Sequence, residues 1–291
     1  MPMIAYKDIS FRPQSLNTIE LINGVIREYA SMGYDLTLRQ LYYQLVAKGY
    51  IENSQQSYKR TGELINNARL AGLIDWKAIV DRTRNLKERS HWSSPRQIID
   101  SAINQYFIDI RKDQPVYVEV WVEKEALVEV VGRACHELDV PYFACRGYVS
   151  QSEMWSASQR FINHSYHCER AVILHLGDHD PSGVDMTRDI QDRLNLFGTD
   201  VYVARIALTW EQVQQYAPPP NPAKLTDSRC KNYIENYGSE SWELDALNPT
   251  IIHNLIRDNV EYLTDWDLLY ARKLVLGKEK KQMQKYSDLL D

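Results

Sequence analysis

The sequence predicts an α/β protein in which a helical N-terminal region is followed by a mostly parallel sheet. Three observations lead to this prediction. Short apolar runs alternate with amphipathic helical segments in the second half of the chain. The first half carries mainly helical patterns. The chain has 291 residues, which is enough for two domains. We therefore expect a helical domain over residues 1–112 and a sheet domain with C-terminal helices over residues 113–291.

Charge is distributed unevenly along the chain, although the net charge is only −5. Residues 1–114 contain sixteen Lys and Arg against twelve Asp and Glu, a net charge of +4, which leaves −9 for residues 115–291. A basic binding domain joined to an acidic domain produces such an asymmetry. An incidental surface bias explains it equally well.

The composition is that of a globular protein, with 44% hydrophobic and 25% charged residues. No apolar run is long enough to span a membrane, and the N-terminus lacks the apolar core of a signal peptide. We therefore expect a cytoplasmic protein without membrane contact. The four cysteines show no Cys-x-x-Cys spacing, which favours free thiols over a zinc site or a disulfide.

The first clear helix of the N-terminal region lies in "TLRQLYYQLVAKGYI", residues 37–51. Thr37 is a predicted N-cap with Gln40 three positions later, which is a capping-box pattern. Tyr43 follows the apolar stripe and is predicted on the polar side of the helix, near Arg39. The stripe itself consists of Leu38, Leu41, Tyr42, Leu45 and Val46.

A second helix is predicted in "SYKRTGELINNARLAGLIDW", residues 57–76, ending near Gly72. Two short helices followed by "AIVDRTR", residues 78–84, are typical of a winged helix-turn-helix, whose second helix can enter the major groove of DNA. The predicted DNA-binding residues are Lys59, Arg60, Arg69, Arg82 and Arg84.

The second half predicts strands and helices in strict alternation. The strands are "VYVEVWV" (116–122), "VPYFAC" (140–145), "RAVILHL" (170–176) and "DVYVARIAL" (200–208). The helices between them are predicted at 124–138, 152–162 and 182–197. Such an order predicts a parallel sheet with right-handed crossovers and helices on its faces. Sites in such sheets form beyond the carboxyl ends of the strands.

Three carboxylates are predicted at that edge. Asp178 and Asp180 follow the third strand in "LGDHDPSGVD", and Glu123 ends the first strand. Carboxylates that converge in this way repel one another unless a cation binds them. Oxygen ligands favour Mg²⁺ or Mn²⁺, so Glu123, Asp178 and Asp180 are predicted metal ligands. The same Asp-x-Asp turn also suits a helix cap near Ser182, and it occurs in haloacid-dehalogenase phosphatases and nucleotide-sugar transferases.

The segments "VEKEAL" (122–127) and "GDHDPSG" (177–183) resemble the Toprim domain, a Rossmann-like fold, in the form found in the topoisomerase VI A subunit and the related meiotic double-strand-break transesterase. "SWELDALNP" (241–249) is similar to a segment late in that domain. The resemblance implies that Glu123, Asp178 and Asp180 hold Mg²⁺. In that family a winged-helix domain precedes the Toprim domain and carries the nucleophilic tyrosine in an Arg-Asp-x-x-Tyr motif.

"RQLYY", residues 39–43, is similar to that motif, with Gln40 where the family has Asp. The resemblance implies that Tyr43 attacks a phosphate of double-stranded DNA, with Arg39 and Glu123 as further catalytic residues. In the family the tyrosine acts with the metal site of the other subunit, which implies a homodimer. The chain has no Walker A motif, so strand passage would need a separate ATPase subunit.

Three hypotheses follow for the function. The first is a Mg²⁺-dependent DNA topoisomerase-like transesterase that uses Tyr43. The second is a Toprim nuclease in which water attacks and Tyr43 is an exposed aromatic on a DNA-facing helix. The third is a non-catalytic DNA-binding protein with a structural metal site.

Overall fold

The computed structural model describes residues 3–80, 89–223 and 229–290. Four helices come first, namely α1 (Pro13–Ser31), α2 (Leu38–Ala47), α3 (Gln55–Leu70) and α4 (Pro95–Gln105). The alternating region contains β1 (Val116–Val122), α5 (Val128–Leu138), β2 (Tyr142–Ala144), α6 (Gln151–Ser165), β3 (Arg170–Leu176), α7 (Pro181–Leu196) and β4 (Val201–Ala207). It is followed by α8 (Trp210–Tyr216), β5 (Asn221–Pro222), α9 (Cys230–Tyr237), β6 (Glu240–Ser241), α10 (Pro249–Tyr262) and α11 (Trp266–Ser287).

The main sheet is parallel, with the strand order β2-β1-β3-β4, which confirms the predicted α/β class. Val122 pairs with Leu176 at the carboxyl ends of β1 and β3, and the Glu123 amide donates to the Leu176 carbonyl at 2.8 Å. The two central strands therefore end side by side. Whatever follows them along the chain meets at one edge of the sheet.

Both faces of the sheet are covered by helices. Val118, Val120 and Val122 point into a buried core shared with α5 and α10. Trp121 and Ile173 point the other way, into a core shared with α6 and α7. Burial on both faces explains why these strands are nearly continuous apolar runs instead of alternating polar and apolar residues.

Helices α1, α2 and α3 enclose a separate core that includes Ile22, Leu41 and Ile65. The predicted capping box is confirmed, because Gln40 Oε1 accepts from the Thr37 amide at 2.9 Å and Thr37 Oγ1 accepts from the Gln40 amide at 3.3 Å. Leu36 forms an isolated parallel bridge with Ile79.

Two further features bear on the setting of the protein. All four cysteines belong to the described residues and are free, with Cys135, Cys145 and Cys230 buried. No helix in the described part of the chain combines the length and the apolar character that crossing a bilayer requires.

Candidate functional site

The three predicted metal ligands lie together at the carboxyl edge of the sheet. Glu123 Oε2 accepts a hydrogen bond from the Asp178 amide at 2.9 Å, which ties the end of β1 to the loop after β3. Asp180 caps α7, since its Oδ1 accepts from the Gly183 amide at 2.6 Å. The helix cap that the sequence allowed is therefore present in the same turn as the acidic pair. Burial raises the pKa of Glu123, and the charge of Asp180 raises it further.

Two glycines let the backbone of this loop pass close to its neighbours. A Cβ on Gly183 would lie 2.2 Å from the Asp178 carbonyl oxygen, which is far inside van der Waals contact. A Cβ on Gly177 would lie 3.0 Å from Glu123 Oε2. The loop conformation that brings the carboxylates together thus requires glycine at position 183 and favours it at 177.

Lys124 places an ammonium group among the carboxylates. Its Nζ lies 2.9 Å from Asp178 Oδ1 and 3.2 Å from Asp245 Oδ1, and it also contacts Glu243 Oε2. Burial alone would lower the pKa of Lys124, but the surrounding carboxylates outweigh it and raise the pKa. For Glu243 burial alone would raise the pKa, but Lys124 and Arg39 outweigh it and lower the pKa. Lys124 is therefore an internal counter-ion of the acidic cluster.

Asp178 is the most enclosed of the three predicted ligands. Its Oδ1 accepts from the Leu244 amide at 2.8 Å in addition to its contact with Lys124. Burial raises the pKa of Asp178 above the ordinary range of a carboxyl group, Lys124 opposes this effect, and Glu123 and Glu243 add to it. The raised pKa of Asp178 thus comes mainly from burial and to a smaller extent from repulsion by Glu123 and Glu243, and a bound cation would offset both effects.

Arg39 joins the N-terminal helices to this cluster. Its Nε lies 2.8 Å from Asp245 Oδ2, and its Nη2 lies 2.7 Å from Glu243 Oε2. Asp245 is almost fully buried. The guanidinium carbon of Arg39 also lies 5.6 Å from the centroid of the Tyr43 ring. Helix α2 and the acidic loop are thus linked through Glu243 and Asp245 within one chain.

On α2, Tyr43 lies next to Arg39, as predicted, but it is buried, with 8% of its surface exposed, so the alternative of an exposed aromatic residue is wrong. The turn that contains Ala246 packs on this side of the helix and covers the ring. Asn221 lies near the hydroxyl and has a small lowering effect on the pKa of Tyr43. Burial raises the pKa of Tyr43, Glu243 adds to the increase, and Arg39 opposes it.

Tyr42 is buried as expected, at 3% exposure, but in a small aromatic cluster with Tyr43 and Tyr58 instead of the core of α1, α2 and α3. Its hydroxyl donates to the Ser54 carbonyl at 3.0 Å and accepts from the Ser54 amide at 2.9 Å. Tyr42 therefore fixes the start of α3, where Ser54 is the N-cap.

The predicted DNA-binding residues occupy different settings. Lys59 and Arg60 are exposed on α3. Arg69 is half-buried, and its Nη2 donates to the Ile79 carbonyl at 3.0 Å and to the Trp76 carbonyl. Its guanidinium also lies over the Trp76 ring at 5.3 Å, so Arg69 holds the segment that follows α3. Arg82 and Arg84 lie outside the described residues.

Sequence reasoning missed Glu243, Asp245, Arg205 and Asn221 as neighbours of the site. The alternation in "WELDAL" is a usable signal for the first two, because residues 243 and 245 fall on one side of an extended segment whose other residues are apolar. Arg205 is a lone cation inside the apolar strand β4, and buried charges of this kind are rare unless they are paired or hydrogen-bonded. Asn221 carries no signal in the sequence.

The donor atoms fit a hard divalent cation. Glu123 Oε1, Asp178 Oδ2 and Asp180 Oδ2 accept no hydrogen bond from any described residue, so each carboxylate keeps one oxygen for a ligand. Oxygen donors of this type suit Mg²⁺ and Mn²⁺. Within residues 3–80, 89–223 and 229–290, no group of three or more His, Cys, Asp or Glu side chains is arranged so that it could hold a metal ion. Lys124 instead provides the cationic contact of Asp178.

The fold and the site define an α/β protein with a carboxylate-rich site at the carboxyl edge of a parallel sheet. No protein-family model, no curated protein and no solved structure matches this chain.

Proposed function

We propose that this protein is a Mg²⁺- or Mn²⁺-dependent enzyme that cleaves strands of double-stranded DNA and resembles the topoisomerase VI A subunit. One observation carries the proposal. Asp178, at the end of β3, is linked through Lys124 and Asp245 to Arg39 of α2, whose guanidinium lies beside the Tyr43 ring. A cation site, a phosphate-binding guanidinium and a nucleophilic hydroxyl are the three groups that such a reaction needs.

In this proposal the N-terminal helices form a winged helix-turn-helix and the sheet region forms a Toprim domain. The exposed side chains of Lys59 and Arg60 on α3 support contact with DNA phosphates. A homodimer and a separate ATPase subunit belong to the same proposal.

Each residue has a definite role. The Tyr43 hydroxyl loses its proton to water and attacks the phosphorus, so a Tyr–O–P bond forms while the bond to the 3′ oxygen breaks, and that oxygen takes up a proton from water. Arg39 donates hydrogen bonds to a non-bridging phosphate oxygen. Mg²⁺ or Mn²⁺ held by Glu123, Asp178 and Asp180 would supply positive charge for the leaving oxygen. Lys124 remains in contact with Glu243 and Asp245 as their counter-ion when Arg39 turns to the phosphate.

A hydrolytic reaction is the second candidate, and the environment of Tyr43 favours it. The ring is buried, and burial raises the pKa of the hydroxyl above the ordinary value of a phenol. The transesterase requires Tyr43 to be uncovered when DNA binds, whereas attack by water does not.

The two candidates are separated by the fate of labelled DNA. End-labelled duplex DNA is incubated with the protein and Mn²⁺ and then denatured in detergent, and the label is followed by electrophoresis. The transesterase leaves label attached to the protein, because a phosphotyrosine ester survives denaturation. Tyr43→Phe should abolish the adduct. Tyr58→Phe, in the same aromatic cluster, is the matched control and should keep it.

Each other result has a clear meaning. Free ends that persist in Tyr43→Phe and vanish in Asp178→Asn would exclude the transesterase and establish the hydrolytic nuclease. Neither adduct nor free ends with the wild-type protein would count against strand cleavage and favour a DNA-binding protein.

A further inference from the structure

Arg205 lies on β4 beneath the acidic loop, in register with His175 of β3. Its guanidinium donates hydrogen bonds to backbone carbonyl groups, and it forms no ion pair with a carboxylate among the described residues. The acceptors are Gly183 O at 2.7 Å from Nη1, Gly177 O at 3.0 Å and Asp178 O at 2.5 Å from Nη2, and Leu208 O at 3.2 Å from Nε.

These acceptors lie on both sides of the acidic turn. Gly177 and Asp178 directly follow the last residue of β3, and Gly183 belongs to the first turn of α7. One rigid, planar group therefore ties the entry of the turn to its exit. The close approach of Gly183 to the Asp178 carbonyl lies at the same point, where a Cβ would be only 2.2 Å from that oxygen.

The orientation of the guanidinium is itself fixed from the side. Thr187 Oγ1 on α7 accepts from Arg205 Nη1 at 3.2 Å and is hydrogen-bonded to His175 Nδ1 at 2.8 Å. The ring of His175 is completely buried. Arg205 is thus held by two neighbouring elements as well as by the loop that it binds.

Two roles for this cation make opposite predictions. As a nearby positive charge, Arg205 would repel a divalent cation, so its removal would strengthen cation binding. As a clamp on the backbone, it keeps Asp178 and Asp180 in place, so its removal would weaken cation binding. The four carbonyl contacts favour the clamp, because a residue that acted through charge alone would not need them.

We propose that Arg205 is the positioning residue of the acidic loop. By holding the carbonyl groups of Gly177, Asp178 and Gly183, it fixes the backbone of the loop, so that the Asp178 and Asp180 side chains stay at the edge of the sheet where a divalent cation can bind them. The inference rests on the metal site of the proposed function.

The test compares substitutions that separate charge from geometry. Arg205→Lys keeps the charge but cannot reach several carbonyl groups from one nitrogen, and Arg205→Gln removes the charge as well. Mn²⁺ binding to the folded proteins is measured by titration calorimetry, and amide hydrogen exchange of residues 177–183 is measured without metal. Loss of a group that orients metal ligands typically lowers affinity about ten- to a hundredfold. We expect a decrease of this size in both variants, together with faster exchange in the loop.

Arg193→Lys is the matched control, because Arg193 also donates to a backbone carbonyl, Val149 O at 2.7 Å, but away from the loop. It should leave the affinity for Mn²⁺ unchanged. If Arg205→Lys does not fold, Thr187→Val, which removes the lateral support, should show a smaller change in the same direction.

Wild-type affinity and exchange in Arg205→Lys, or tighter Mn²⁺ binding by Arg205→Gln, would overturn the proposal. Absence of Mn²⁺ binding by the wild-type protein would instead remove the proposed metal site. In that case the exchange measurement decides the role of Arg205 alone, since faster exchange in Arg205→Lys would still establish the clamp and unchanged exchange would exclude it.

Discussion

Arg39 and Lys124 bind opposite oxygens of one buried carboxylate. Arg39 Nε lies 2.8 Å from Asp245 Oδ2, and Lys124 Nζ lies 3.2 Å from Asp245 Oδ1. Asp245 therefore couples an N-terminal helix to the loop after β1. A substitution that moves one of these cations should therefore change the interaction energy of the other, because both contact this single side chain.

The first prediction concerns this coupling. Asp245→Asn should lower the free energy of unfolding by roughly 2–4 kcal/mol, because it removes the buried carboxylate that both cations share. Glu243 and Asp178 would still contact them from the side. Urea denaturation of Asp245→Asn, Arg39→Met and the double variant should give a coupling energy of about 1 kcal/mol or more. Arg27→Met is the control, since its bond to Glu20 is exposed at both ends and should contribute less than about 1 kcal/mol. Additive effects at positions 39 and 245 would contradict the coupling.

A second prediction addresses the cation. A ligand that binds only the folded state stabilises it by about 2.7 kcal/mol at roughly 100 times its Kd. Millimolar Mg²⁺ or Mn²⁺ should therefore raise Tm of the wild-type protein, and Asp178→Asn should remove most of the increase. Sodium chloride at equal ionic strength controls for screening. An equal increase in the wild-type protein and in Asp178→Asn would refute the assignment of this ligand.

The third prediction distinguishes exposed from internally bound arginines. Lys59→Gln and Arg60→Gln should each weaken binding to duplex DNA of any sequence and lower the salt dependence by about one ion. Arg69→Gln should mainly lower stability, because two carbonyl groups lose their donor. Fluorescence anisotropy over a salt series and thermal unfolding provide the two readouts. Unchanged DNA affinity in both α3 variants would exclude α3 as the DNA-binding helix.

Glycine substitutions give a fourth prediction. Gly183→Ala should lower the free energy of unfolding by about 1–3 kcal/mol, because the added Cβ forces the loop and α7 apart. Gly277→Ala in α11 meets no atom within 4 Å and should raise it by up to about 1 kcal/mol. Chemical denaturation of the pair checks both signs. An unchanged free energy of unfolding in Gly183→Ala would contradict the close approach of Gly183 to the Asp178 carbonyl.

The fifth prediction is a pH dependence. Burial, with a smaller effect of Arg205, lowers the pKa of His175 to about 3, from about 6.5 in the unfolded chain. As the pH falls, His175 is therefore protonated in the unfolded chain before it is protonated in the folded protein. The free energy of unfolding is highest above about pH 6.5 in this respect and decreases as the pH falls toward 3. His175→Leu should reduce the slope of stability against pH in this window by about 1.4 kcal/mol per pH unit.

Urea midpoints measured between pH 4 and 7 give this slope. Equal slopes in the wild-type protein and His175→Leu would contradict the burial of a neutral imidazole.

The parallel sheet and the meeting of Glu123 with Asp178 and Asp180 followed from local patterns, because strand periodicity and the end of a strand are properties of a few neighbouring residues. The burial of Tyr43 did not follow. Its helix is amphipathic, and the segment that covers its polar side lies some 200 positions away in the sequence. Helical periodicity identifies an apolar stripe but does not show what a later part of the chain brings to the opposite side.

Arg69 is a second residue whose environment could not be predicted from the local sequence. A basic residue on the second helix of a helix-turn-helix pattern suggests a DNA contact. Carbonyl groups of the following loop accept its hydrogen bonds instead. Unpaired backbone acceptors in loops leave no mark in the sequence, so side chains that satisfy them cannot be told from those that face solvent.

The ion pair between Arg39 and Asp245 also has a consequence for synthesis. Its partners are separated by 206 positions, so the contact forms only after residue 245 has left the ribosome. Native contacts of such long sequence separation form late and slow the folding of a domain. A nascent chain interrupted before residue 243 contains Glu123, Asp178 and Asp180 but lacks both carboxylates that hold α2 in place. During translation Tyr43 is therefore synthesised well before Glu243 and Asp245, the two carboxylates that bind its helix.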